Sequence, residues 1–228
     1  MKLSPKLVIF DVDGVLVDVR GSFHQSIIDT IHFFTGHRAP YAEIHQWKNR
    51  SGYNDDWRLT TDWIASLGQN IPYEEVKARF NQFYWGGRGR AANVSREKWL
   101  VTRARLERWA RRAELALFTG RSRRELKHSL KGMNARRLFR RTVTMDDVNK
   151  GKPHPEGLRM LLDGVPPREA LYLGDNIDDA LAAKRARVPF LGVLPQGSEA
   201  HHFRAARLRE LGALAILHSV RDLEKYWR

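Results

Sequence analysis

Two aspartates stand two positions apart in Asp11-Val12-Asp13-Gly14, directly after the apolar run Leu7-Val8-Ile9-Phe10. Carboxylates held this close repel each other, and a hard divalent cation with oxygen ligands relieves that repulsion. A second acidic group follows another apolar run, in Leu171-Tyr172-Leu173-Gly174-Asp175-Asn176-Ile177-Asp178-Asp179. The dipole of a helix accounts for acids in its first turn, which covers Asp178. It does not account for Asp175 at the strand tip, which reads as a metal ligand supported by Asn176 and by Asp179 behind it.

Two further segments suit an anion. In Leu117-Phe118-Thr119-Gly120-Arg121 a hydroxyl and a glycine lie between a strand and a helix. Thr119 and the Gly120 amide make an anion cradle there, or Thr119 caps the following helix, and the two roles are compatible. Arg121 either approaches a substrate or pairs with an acid on the core surface. In Lys150-Gly151-Lys152-Pro153-His154-Pro155 a proline-stiffened turn holds a cation in place, useful against phosphate. Lys150 competes with Lys152 for that role, and the spacing to Pro153 favours Lys152. His154 reads as a hydrogen-bond donor behind the site and not as a ligand.

Elements must hold these residues together. Short apolar runs with strand character recur at residues 6–10, 115–118, 142–144, 170–173, 190–194 and 213–217. Segments of helical period lie between the later ones, at 123–130, 155–162, 178–185 and 199–211. Such alternation predicts an α/β fold, a doubly wound parallel sheet covered by helices on both faces. Ligands in such sheets bind beyond the carboxyl ends of the strands, where all four segments fall. Between residues 22 and 112 there is no comparable strand, only helical candidates at 22–34, 55–67, 73–85 and 95–112, interrupted by a glycine- and arginine-containing loop at 86–90. The expected organisation is a core of residues 1–20 and 100–228 with a helical domain, residues 21–99, inserted after the first strand.

Composition narrows the chemistry further. The 228 residues contain no cysteine, which excludes disulfides, thiolate metal sites and cysteine nucleophiles, so a metal must sit on oxygen or imidazole. No run approaches the ~18 continuous apolar residues of a membrane span, and the first ten residues are too short for a secretory signal, so a cytoplasmic protein without a membrane partner is expected. The net charge of +14 invites a nucleic-acid reading. Yet the arginines are scattered through helical stretches and no recognition motif accompanies them, so the expected partner is a small phosphorylated metabolite drawn to a basic surface. The chain is expected to act as a monomer or homodimer.

In their order along the chain, Asp11-Val12-Asp13-Gly14-Val15, Thr119-Gly120, Lys152-Pro153 and Gly174-Asp175 through Asp179 resemble motifs one to four of the haloacid dehalogenase (HAD) superfamily. The likeness covers nearly the whole chain, and the insertion lies where subfamily IA, including phosphoglycolate-phosphatase-like members, carries its helical C1 cap. Residues 18–57 are also similar to a subgroup associated with histidine biosynthesis. The resemblance implies a phosphatase in which Asp11 is the nucleophile, forming an aspartyl-phosphate. It implies that Asp13 acts as general acid and base, and that Mg²⁺ is held by Asp11, the Asp13 carbonyl and Asp175. Thr119 and Gly120 then bind phosphoryl oxygens, Lys152 neutralises charge, and Asp179 pairs with Lys152 or orders a metal-bound water. Asp13 disfavours dehalogenation, because dehalogenases of the superfamily lack this second acid. A phosphomutase, or a basic nucleic-acid-binding module without turnover, are the alternatives. Substrate choice is expected from the cap, with Arg20, Arg50 and the loop 48–57 as candidates and the tryptophans as its core.

Overall fold

The computed structural model describes residues 3–87, 89, 91–195 and 199–227. The chain enters β1 (Leu7–Phe10) and leaves along the two-residue β2 (Val17–Asp18). Four helices follow: α1 (Phe23–Thr35), α2 (Tyr41–Lys48), α3 (Asp56–Ser66) and α4 (Tyr73–Trp85). The return passes a 3-10 turn at Asn93–Arg96 and then β3 (Lys98–Trp99), which pairs with β2. Beyond it come α5 (Arg103–Ala110), β4 (Glu114–Phe118), α6 (Arg123–Met133), β5 (Phe139–Val143) and α7 (Glu156–Leu161). The chain closes with β6 (Ala170–Gly174), α8 (Ile177–Ala186), β7 (Phe190–Val193), α9 (Glu199–Glu210) and β8 (Ala215–Leu217). Contacts divide it into two units, Met1–Val17 with Trp99–Arg228, and Asp18–Lys98.

The first unit is built on a six-stranded sheet in the order β5-β4-β1-β6-β7-β8, and its pairings are all parallel. This is the expected doubly wound α/β architecture. The central strands read as continuous apolar runs because both faces are covered. The four residues of β1 are fully buried. On one face Phe10 stacks on Trp109 of α5 at 5.7 Å, and on the other Phe118, Tyr172 and Phe190 meet in tilted pairs at 6.0 and 5.7 Å. Successive strands run from β1 to one side through β4 and β5, and then to the other through β6, β7 and β8. The winding therefore reverses beside β1, a switch point at which the ends of β4, β1 and β6 lie side by side.

In the second unit α1, α3 and α4 enclose Ile27, Ile31, Leu59, Ile64, Val76 and Phe80, all fully buried. Trp57 and Trp63 are buried, as expected of a tryptophan-rich core, and Trp47 stacks on Trp63 at 5.7 Å. Asp55 caps α3 by accepting from the amides of Trp57 and Arg58. The buried Asn93 side chain donates to Ser26 Oγ at 3.1 Å and to Asp29 Oδ2 at 2.9 Å, pinning the segment after α4 to α1. Arg88 and Arg90 of the loop after α4 lie outside the described residues.

Three local expectations require correction. The helix expected over 95–112 is instead a 3-10 turn, the strand β3 and the short α5, which starts where Thr102 caps it by accepting from the Arg105 amide. An extended segment is needed here to pair with β2 and to let the Leu100 amide donate to the Leu16 carbonyl at 2.8 Å, so tertiary pairing overrides helix propensity. Strand β5 begins at Phe139, earlier than its apolar part, because an edge strand tolerates charge: Arg141 donates to Glu114 Oε1 at 2.7 Å and to two carbonyls beside α7. Helix α2 carries one buried apolar residue, Ile44, and so has too little periodicity to be read from sequence.

Helix α7 lies so close to β4 that a Cβ on Gly157 would stand 2.2 Å from Cε2 of the Phe118 ring. Gly157→Ala is expected to destabilise the chain by about 1–3 kcal/mol, read as a lower urea midpoint at unchanged slope.

Candidate active site

Parallel registers set the site. Phe10, the last residue of β1, pairs with Leu117 on one side and Leu173 on the other, so Asp11, Thr119 and Asp175 emerge from neighbouring strand ends. The Asp11 amide donates to the Leu173 carbonyl at 2.8 Å and the Thr119 amide to the Val143 carbonyl at 3.0 Å, extending the ladder by one residue on each side of the site. The chain then turns at Gly14, whose φ is +72°, and a Cβ there would lie 2.3 Å from Asp175 Oδ2. Only glycine both adopts this conformation readily and lets Asp175 approach.

Asp11 is 5% exposed, and its Oδ1 accepts from Lys152 Nζ at 2.8 Å. Lys152, 6% exposed, also reaches Asp179 Oδ1 at 2.8 Å, with its ammonium 4.8 Å above the Phe118 ring. Burial works against the lysine's charge, but Asp11 and Asp179 outweigh it and raise its pKa, so the ammonium persists. Asp179 is a shared acceptor. Its Oδ1 takes the Tyr172 hydroxyl at 2.6 Å as well as Lys152, and its Oδ2 takes the amides of Asp175 at 3.2 Å and Asn176 at 3.1 Å. With Asn176 accepting from the Ile177 amide, the same carboxylate completes the capping box that starts α8. Burial, and then the Asp179 charge, push the Tyr172 hydroxyl's pKa well up, so it remains a donor.

Asp13 faces the other flank. Its Oδ1 accepts from Arg121 Nε at 2.7 Å and Nη2 at 2.6 Å, while Arg121 Nη1 donates to Ser129 Oγ on α6. The Arg121 amide in turn donates to Thr119 Oγ1 at 3.1 Å, which leaves the threonine hydroxyl its own proton to give. Lys150 is exposed, its amide donating to Glu156 at 3.0 Å, and His154 Nδ1 stands 3.7 Å from the same carboxylate. In the second unit, Arg20 is bonded through Nε and Nη2 to Asp18, and the Arg50 guanidinium lies 4.5 Å above the Trp47 ring.

Charge in this part of the first unit is unbalanced. Counted as fully ionised, Asp11, Asp13, Asp175 and Asp179 carry four charges against the two of Lys152 and Arg121, a formal excess of two among these six groups. Burial first, and then the charges of Asp179, Asp13 and Asp175, push the Asp11 carboxyl well above the usual range despite Lys152. Asp11, Asp175 and Asp179 bring oxygens within 4.8 Å of one another, a spacing that one cation can bridge. An all-oxygen donor set with a surplus of two charges fits a hard divalent ion. Because four donors already occupy Asp179, its part is to orient Lys152 and the Asp175 backbone.

A family model described as haloacid dehalogenase-like hydrolase matches residues 5–187. The chain belongs to this family. It is 37% identical over 194 residues to pyrophosphatase PpaX of Bacillus velezensis, covering 82% of each. It is 29% identical over 188 residues to phosphoglycolate phosphatase 1 of Pseudomonas aeruginosa, covering 81% of this chain and 67% of that one. It is also 30% identical over 195 residues to imidazoleglycerol-phosphate dehydratase of Phytophthora nicotianae, of whose length the chain spans 43%. The fold is shared with the crystal structure of a Haemophilus somnus protein predicted to be a phosphoglycolate phosphatase, with a TM-score of 0.76, 21% identity and 97% of both chains covered.

Sequence reasoning passed over Tyr172, Ser129 and the ring of Phe118. The phenol of Tyr172 inside an otherwise apolar strand was the available signal, because a buried hydroxyl needs a partner. Ser129 sits in a polar helical stretch with nothing to distinguish it.

Asp11 resists ionisation where it stands, and the sign of its effect follows. A carboxyl whose pKa is raised on folding contributes stability in acid that is lost as pH rises through the folded value. At neutral pH in EDTA, Asp11→Asn is expected to melt about 2 °C or more above the wild type, and the gap should close as pH falls toward the ordinary carboxylate range. Differential scanning calorimetry across pH 4–8 checks this; a lower melting temperature for the variant at pH 7 would contradict it.

Proposed function

We propose that the chain is a Mg²⁺-dependent phosphatase that hydrolyses a small phosphate monoester through an aspartyl-phosphate on Asp11. The observation that carries this reading is the buried Asp11 carboxyl at the tip of β1, bonded by Lys152 at 2.8 Å and bringing an oxygen within 4.8 Å of those of Asp175 and Asp179. Phosphatase names among the relatives support it.

The mechanism follows from the positions. Asp11 attacks phosphorus through the carboxylate oxygen that Lys152 does not hold; an O–P bond forms as the ester O–P bond breaks. Asp13 gives a proton to the departing alkoxide. It then takes a proton from the water that attacks the aspartyl-phosphate, releasing inorganic phosphate and restoring the Asp11 carboxylate. The Thr119 hydroxyl and the Gly120 amide hold phosphoryl oxygens, and the Lys152 ammonium compensates their charge. Asp11, the Asp13 carbonyl and Asp175 would hold Mg²⁺, which when bound supplies a positive charge against phosphoryl oxygens and balances the acids. Rigid mounting at strand ends suits phosphoryl transfer, which demands positioning and charge stabilisation above all. Phosphoglycolate-like and histidinol-phosphate-like compounds are the two substrate classes to try first.

Steady-state hydrolysis of p-nitrophenyl phosphate, followed by a screen of phosphorylated metabolites, tests the reading. Activity should require Mg²⁺, disappear in EDTA and fall by ~10³-fold or more in Asp11→Asn. Net release of inorganic phosphate from the preferred metabolite marks a hydrolase and not a mutase. Equal rates for Asp11→Asn and wild type would remove Asp11 from the nucleophile's role.

A further inference from the structure

Arg121 is completely buried in its side chain, yet the acid it binds, Asp13, keeps 28% of its side chain exposed. Burying a guanidinium is costly unless every donor is engaged, and here the engagements are asymmetric. Two N–H groups, Nε and Nη2, converge on the single oxygen Oδ1 of Asp13 at 2.7 and 2.6 Å. A third, on Nη1, ties the guanidinium to Ser129 Oγ on α6. The Arg121 backbone is fixed as well, its amide to Thr119 Oγ1 at 3.1 Å and its carbonyl accepting from the Met145 amide at 3.0 Å. Among the described residues no donor is recorded for Asp13 Oδ2.

We infer that Arg121 is a positioning residue that locks the Asp13 carboxylate by Oδ1 and so assigns proton transfer to Oδ2. This rests on the phosphatase reading above. An oxygen that already accepts two N–H bonds cannot also carry a proton without giving one up, so the mobile proton resides on the other oxygen. Fixing the carboxylate from α6 also removes a rotor that would otherwise have to be ordered in the transition state. In the first half-reaction the proton passes from Oδ2 to the ester oxygen as the O–P bond breaks and its electron pair stays on that oxygen. In the second, Oδ2 takes the proton from water as the water oxygen bonds phosphorus and the Asp11 O–P bond breaks. Arg121 touches neither substrate nor phosphorus in this scheme; it acts through Asp13.

Leaving-group dependence separates this role from a merely structural one. Wild type, Arg121→Lys and Ser129→Ala are compared with Mg²⁺ on p-nitrophenyl phosphate, phenyl phosphate and an alkyl phosphate, with thermal melts to confirm folding. The parameter kcat/KM reports events up to phosphoryl transfer, and p-nitrophenolate leaves without needing a proton. For Arg121→Lys the loss of kcat/KM on the alkyl ester should exceed the loss on p-nitrophenyl phosphate by about 10-fold or more, part of the range general acid catalysis supplies. Ser129→Ala, which loosens the guanidinium without touching Asp13, should steepen the same dependence to a smaller degree. Loss by one common factor across the three esters in both variants overturns the inference while leaving the phosphatase reading intact. A wild type that hydrolyses none of them, with or without Mg²⁺, ends both.

Discussion

Crowding of like charge at the end of one sheet is the constraint on which the rest of the structure depends. Two unit charges 4 Å apart cost or gain roughly 4 kcal/mol at the effective dielectric of a protein surface, a large fraction of a domain's whole stability. Four aspartates meet there, and the fold supplies two cations against them, each placed by a different device. Lys152 is clamped between Asp11 and Asp179 over the Phe118 ring, and Arg121 is anchored to α6 through Ser129. Neither device closes the balance. The remaining formal deficit is one that a hard divalent cation would fit, as the proposed function requires.

Topology makes the crowding possible and keeps it rigid. Because the winding reverses beside β1, three strand ends open at one place; after β1 and β4 the ladder runs on to the Asp11 and Thr119 amides, and after β6 the Asp175 amide is taken by the Asp179 carboxylate. Close approach is bought with glycine at Gly14 and Gly174, where added Cβ atoms would stand 2.3 Å from Asp175 Oδ2 and 2.5 Å from Asp179 Cβ. Helix starts serve the same end. The Asp179 carboxylate that caps α8 also orients Lys152, so the stability of the helix and the placement of the lysine are one interaction. The cost of this crowding falls on Asp11, whose carboxyl is pushed well above the usual range by burial and by its acidic neighbours.

How legible this was depended on range in the sequence. Strands β1, β4 and β6 announce themselves as apolar runs because both of their faces are buried, and the acids after β1 and β6 stand out against those runs. Where pattern and burial part company the reading fails. The basic start of β5 looks like a loop because an edge strand needs no apolar face, and residues 95–112 look like one helix because their pairing with β2 is invisible locally. The site shows the same division. Residue types at strand ends pointed to Asp11, Asp13, Thr119, Lys152 and Asp175, whereas what Arg121 grips could not be chosen from sequence: it meets Asp13 across 108 positions. Ser129 and Tyr172 act through contacts that no spacing rule encodes.

Calorimetric titration of the metal-free chain with Mg²⁺ tests the charge deficit most directly. One ion should bind per chain in the wild type, and binding should be weakened at least about tenfold, 1.4 kcal/mol, in Asp175→Asn, whose side chain keeps its size and gives up one charge. No binding by the wild type, or equal affinity in the two proteins, would contradict the account.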